Sequence, residues 1–140
     1  MAAEERTYKS LEDARPPGEV RRLNLSKQNL NTVPSAIGKF ANLYHLNLSH
    51  NQLHKLPPFV FTLKKLEELL LQNNPLTHLP AEINALAHLR ELYLADNQLQ
   101  TLPDMSSLKN LEILILRGNP LPAAEITRAK KMLPHTVVSA

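Results

Sequence analysis

Apolar positions along this chain fall into rows. From Val20 onward the sequence can be laid out in steps of about twenty-three residues, and five rows align: 20–42, 43–65, 66–88, 89–110 and 111–122. They open VRRLNLSKQNL, LYHLNLSHNQL, LEELLLQNNPL, LRELYLADNQL and LEILILRGNPL, all variants of L-x-x-L-x-L-x-x-N-x-L. In every row two leucines stand two residues apart: Leu23 and Leu25, Leu46 and Leu48, Leu69 and Leu71, Leu92 and Leu94, Leu114 and Leu116. A spacing of two is the strand period, so each pair predicts a short strand with both leucines on one face. Leu30, Leu53, Leu76, Leu99 and Leu121 close the turn that follows. Four rows then continue NTVPSAIGKF, HKLPPFVFTL, THLPAEINAL and, one residue shorter, QTLPDMSSL, whose apolar residues form an opposite wall. One row alone cannot bury its leucines, but a stack of rows can.

Prolines 34, 57, 80 and 103 fix the backbone where the chain leaves the turn. Only about eight residues remain to reach the next strand, which predicts a turn or two of helix, partly 3₁₀, rather than a long α-helix. Strands on one side and compact turns on the other curve the stack, with the strands lining its concave face. Asn51, Asn74, Asn97 and Asn119 recur just beyond the strands, with Gln28 in the first row. A buried amide is costly unless satisfied, so these side chains are expected to bond the backbone where it turns off the sheet.

The register of these rows over roughly residues 20–121 resembles the leucine-rich repeat family, with the L-P-x-x-I return of small bacterial and intracellular Ras-group members. The resemblance implies an α/β fold: a right-handed solenoid, or horseshoe, with a parallel sheet on its concave face and 3₁₀ segments on its convex face. Helical caps are expected at both ends of a single domain, 1–140. A cap over 7–19 is read from Ser10-Leu11-Glu12-Asp13 with Tyr8, Leu11 and Ala14 at helical spacing. A second is read over 123–133 from Ile126, Ala129 and Leu133, with Arg128, Lys130 and Lys131 outward and Val137-Val138 as a further extended edge. Bracketing of this kind leads us to expect a complete chain rather than a fragment of a larger receptor.

Composition narrows the function. Leucine supplies 28 of 140 residues and aromatics 4%, so one aliphatic shape builds the core. The net charge of +3 is too mild and too mixed to point to nucleic acid. No apolar run approaches the ~20 residues that span a bilayer, so no membrane partner is expected. Zero cysteines exclude disulfides and thiolate chemistry and fit a reducing compartment, making a cytoplasmic location the expectation. No phosphate loop and no H-E-x-x-H motif occur. Ser26 and Ser49 lie side by side in the rows. His45, however, is about 13 Å from Ser49 at 3.3 Å per residue, too far for a nucleophile and its base. The expectation is therefore a monomer that is not an enzyme and needs no cofactor or metal.

The outward strand positions carry the candidate chemistry. Leu70, Tyr93, Ile113 and Ile115 alternate outward and form an apolar patch, which is either ordinary surface hydrophobicity or the centre of a protein-binding site. His45, Glu68 and Glu91 share a column on three adjacent strands. That column reads as a His-Glu-Glu metal site, as an acidic notch for a partner's lysine or arginine, or as a solvated face that Arg90 could quench. The notch is the functional reading adopted. The expected binding residues are thus Tyr93, Leu70, Ile113, Ile115, Glu68, Glu91, His45 and Arg117. The expected function is a scaffold whose concave face holds a protein or peptide, and the family resemblance adds a role in signalling. The alternative is an assembly module recognised through its ends or convex side.

Overall fold

Five rows of leucine pairs need five paired strands, and the computed structural model, described for residues 5–140, contains them within a seven-stranded sheet. Residues 1–4, included in the domain assignment above, lie outside the described residues. The row strands are β2 (Arg22–Asn24), β3 (His45–Asn47), β4 (Glu68–Leu70), β5 (Glu91–Tyr93) and β6 (Ile113–Ile115). They are flanked by β1 (Thr7–Tyr8) and β7 (Val137–Ser139). Strand order follows chain order, every pair is parallel, and Leu23, Leu46, Leu69, Leu92 and Leu114 stand in one column. That column is fully buried, and Leu25, Leu48, Leu71, Leu94 and Leu116 are at most 1% exposed.

The opposite wall comes from 3₁₀ turns at Ser35–Lys39, Pro58–Thr62 and Ala81–Ala85, each entered through Pro34, Pro57 or Pro80 in extended backbone. Ile37, Val60 and Ile83 point from these turns into the core. The shorter fourth return segment has no helix, although Leu102, Met105 and Leu108 still fill the corresponding positions.

Asparagines knit the rows together. The Asn74 side-chain amide donates to the carbonyls of Leu48 (3.1 Å) and Leu71 (3.0 Å), and its oxygen accepts from the Leu53 N–H (3.0 Å). Asn97 repeats this with Leu71, Leu94 and Leu76, and Asn119 with Leu94, Leu116 and Leu99. The carbonyls of Leu48, Leu71 and Leu94 thus each accept from two successive asparagines, one per lone pair. In the first row the longer Gln28 reaches outward instead, donating to the Lys9 carbonyl at 2.9 Å. The residue before each rung (Lys27, His50, Asn73, Asp96, Gly118) has a positive φ, 56–59° in the first four and 77° at Gly118, the left-handed turn that swings the chain off the sheet.

The two ends differ from one another. At the C-terminal end α1 (Ala123–Met132) buries Ala129, packs Ile126 and Met132 on the core, and is held by the Arg128 guanidinium on the Leu102 carbonyl. It stops one residue short of the expected 133. The helical cap expected over 7–19 is replaced by β1, a turn in which Ser10 Oγ accepts from the Asp13 N–H, and a three-residue 3₁₀ turn at Pro17–Glu19. Few residues separate Thr7 from Pro16-Pro17, too few for a stable helix. The open edge of β2 instead takes Thr7 and Tyr8 as a strand, and Arg22 Nε donates to Thr7 Oγ1 at 2.9 Å.

Candidate protein-binding face

Parallel pairing in register sets the outward side chains into columns. Thr7, Arg22, His45, Glu68, Glu91, Ile113 and Val137 form one, and Asn24, Asn47, Leu70, Tyr93, Ile115 and Ser139 form the next. Seven of the eight expected site residues stand in these two columns, and Arg117 lies in the turn two residues beyond Ile115. Leu70, Tyr93, Ile113 and Ile115 are half-buried neighbours, as expected. The patch extends one strand further than the rows alone suggest. Val137, opposite Ile113, is 67% exposed and continues the apolar surface to the edge of β7. Its outward position follows from the strand period across Val137-Val138, a signal present in the sequence.

The charged column is more differentiated than the sequence indicated. His45 Nδ1 lies 2.6 Å from Glu68 Oε1, and Arg22 Nη1 approaches the same oxygen at 3.9 Å. Glu68 is therefore already compensated by its own chain and is not half of an open acidic notch. Arg22 is itself anchored, donating to the Tyr44 hydroxyl at 3.1 Å and lying over the Tyr44 ring. Arg90 does not quench the column. It pairs with Glu67 at 3.5 Å and with Glu112, just before the strands. A cavity of about 530 Å³ opens there, lined by Arg90, Glu67 and Glu112 together with Lys109 and His135. Its central charges are mutually paired, and it lies off the concave columns.

Glu91 stands apart. Its Oε1 accepts from the Tyr93 hydroxyl at 2.6 Å, and among the described residues no cation lies within ion-pair distance. That hydrogen bond, with partial burial and the negative charges of Glu91 and Glu68, pushes the Tyr93 phenol up to about 12. The ring is thereby held down against its own strand as a fixed donor. Arg117 is exposed, two residues beyond Ile115, and makes no side-chain ion pair among the described residues.

Carried two residues further along the rows, the strand period would also turn Ser49 and Ala95 outward, yet both are buried. Ser49 is 2% exposed and Ala95 5%. The Asn47 side chain folds over Ser49, its Oδ1 accepting from the Ser49 N–H at 3.0 Å and hydroxyl at 2.6 Å. This removes Ser49 from any surface chemistry. Among the described residues no three His, Asp or Glu side chains converge as a metal set.

A family model described as leucine rich repeat matches residues 41–99 and again 64–121, more than half of the chain. The chain belongs to the leucine-rich repeat family. A leucine-rich repeat protein of Leptospira interrogans is 38% identical, with a TM-score of 0.84 over 88% of this chain and 32% of that one. The leucine-rich repeat ectodomain of the receptor kinase SOBIR1 from Arabidopsis thaliana is 32% identical, with a TM-score of 0.65 over 74% of this chain and 60% of that one. Internalin C2 of Listeria monocytogenes, at 21% identity and a TM-score of 0.74, covers 94% of this chain and 57% of its own, a likeness of fold. The chain thus spans about a third of the Leptospira protein's length and less than two thirds of the other two. No curated protein matches the sequence. Leucine-rich repeat proteins are generally non-enzymatic scaffolds that bind proteins or peptides.

Proposed function

We propose that this leucine-rich repeat array is a non-enzymatic recognition module that binds a protein or peptide on its concave face, centred on Tyr93. One observation carries the reading: Leu70, Tyr93 and Ile115 sit side by side on β4, β5 and β6, with Ile113 and Val137 adjoining them, as one half-exposed apolar surface on a rigid sheet. Apolar clusters around a tyrosine, rimmed by polar groups, are what interfaces use, and the central anchors carry most of the energy. A stable interface needs about 800 Å² from each partner. Seven strands about 4.8 Å apart give a face roughly 30 Å wide, so a partner also touches the turns at His50, Asn73 and Asp96.

Affinity capture followed by mass spectrometry identifies the partner, and variants then test the face. Tyr93→Ala should weaken binding by roughly 2 kcal/mol or more with little change in melting temperature. Lys39→Ala and Glu82→Ala, on the convex side, should leave affinity unchanged. The reverse pattern moves the site off the sheet and favours recognition through the convex side.

A further inference from the structure

The apolar patch lies between two charges of opposite sign, the half-buried Glu91 and the exposed Arg117, that make no ion pair among the described residues. Glu91 flanks Tyr93 on the side where the chain enters β5, and Arg117 flanks Ile115 on the side where the chain leaves β6. The nearby Glu68 is already matched by His45 and Arg22, and Arg90 by Glu67 and Glu112. Asp96, which could have served Arg117, turns over Gly118 instead, its Oδ1 only 2.1 Å from where a Cβ on that glycine would stand. Glu91 is held in place by the Tyr93 hydroxyl on one carboxylate oxygen, leaving the other open.

We infer that this face recognises a polypeptide segment carrying a lysine or arginine, then an apolar side chain, then an aspartate or glutamate, in a fixed direction. The basic group meets Glu91, the apolar group packs between Tyr93 and Ile115, and the acidic group meets Arg117. From Glu91 to Tyr93 is one outward step, about 7 Å, and from Glu91 to Arg117 is about 14 Å across one strand gap and four residues. An extended segment bridges that distance with its two charges about four residues apart, at i and i+4. The two charges fix direction because turning the segment around sets like against like, and such juxtaposition selects against wrong partners. This inference rests on the concave-face reading and adds the partner's charge order to it.

A displayed library of random twelve-residue peptides tests it, selected in parallel on the wild type and on the double variant Glu91→Lys/Arg117→Glu. Both positions are on the surface, and unchanged melting curves verify that the variant is folded. Wild-type selections should be enriched in basic–apolar–acidic order, and double-variant selections in the opposite order. For a selected peptide, Glu91→Gln, which still accepts from Tyr93, should lower affinity about three- to tenfold, and the loss should shrink at high salt. The same charge order from both selections, with binding still abolished by Tyr93→Ala, overturns the charge code and leaves the concave-face reading standing. No enrichment, or enrichment indifferent to Tyr93→Ala, overturns that reading and the code with it.

Discussion

Asn74→Ala removes the central rung of the asparagine ladder, and its cost can be worked from the bonds it makes. Three are lost: two donated to the carbonyls of Leu48 and Leu71, and one accepted from the Leu53 N–H. These losses are unequal. The Leu48 carbonyl keeps its bond from Asn51 and the Leu71 carbonyl its bond from Asn97, so each falls from two partners to one. The Leu53 N–H keeps none, at a site where Asn74 is 4% exposed and Leu53 fully buried. An orphaned buried donor costs about 1–3 kcal/mol, and each weakened carbonyl adds about 0.5 kcal/mol, giving a total of roughly 2–4 kcal/mol. Asn119→Ala should cost less, about 1 kcal/mol, because that rung is partly exposed and water can replace the side chain. Denaturant melts read the difference, provided the slope of free energy against denaturant is unchanged. If Asn74→Ala lies within about 0.5 kcal/mol of wild type, or costs no more than Asn119→Ala, the ladder does not hold the rows together.

Three further outcomes follow from the same geometry. Leu71→Ala, at a fully buried position, should cost roughly 2–5 kcal/mol in the same melts. Gly118→Ala should cost roughly 1–3 kcal/mol, because φ is +77° and the new Cβ would meet Asp96 Oδ1 at 2.1 Å; a thermal melt checks it. Ultraviolet titration should show Tyr93 ionising near 12 rather than 10, with Glu91→Gln moving it back toward 10. Because this pKa is raised on folding, its contribution to stability is complete below about pH 10 and fades as pH rises towards 12.

Most of the solenoid could be read from the sequence because each row repeats one local solution. Leu46 and Leu69 occupy the same column because the period of two and the step of twenty-three agree, and the asparagine column declared its bonds through its position alone. The N-terminal cap was misread for the opposite reason. Tyr8, Leu11 and Ala14 match a helical period over too short a stretch, and what decides their conformation is a vacant edge on β2, a feature of the stack rather than of those residues. At the candidate site, register alone brought Leu70, Tyr93 and Ile115 together. Pairing of charges did not follow from register. That His45 takes up Glu68, that Arg90 turns to Glu67 and Glu112, and that Glu91 is left to Tyr93 depend on how long side chains lie across the sheet. Ser49 shows the same limit, outward by its period yet covered by its neighbour Asn47.

Amide chemical-shift mapping by NMR, with a captured partner or selected peptide added to the full chain, tests the concave binding face most directly. Perturbations should gather at Glu68–Leu70, Glu91–Tyr93 and Ile113–Ile115 and at the turns around Asn73 and Asp96. The 3₁₀ turns at Ser35–Lys39, Pro58–Thr62 and Ala81–Ala85 should stay silent. Shifts concentrated in those turns, with the three strands unmoved, would contradict the account.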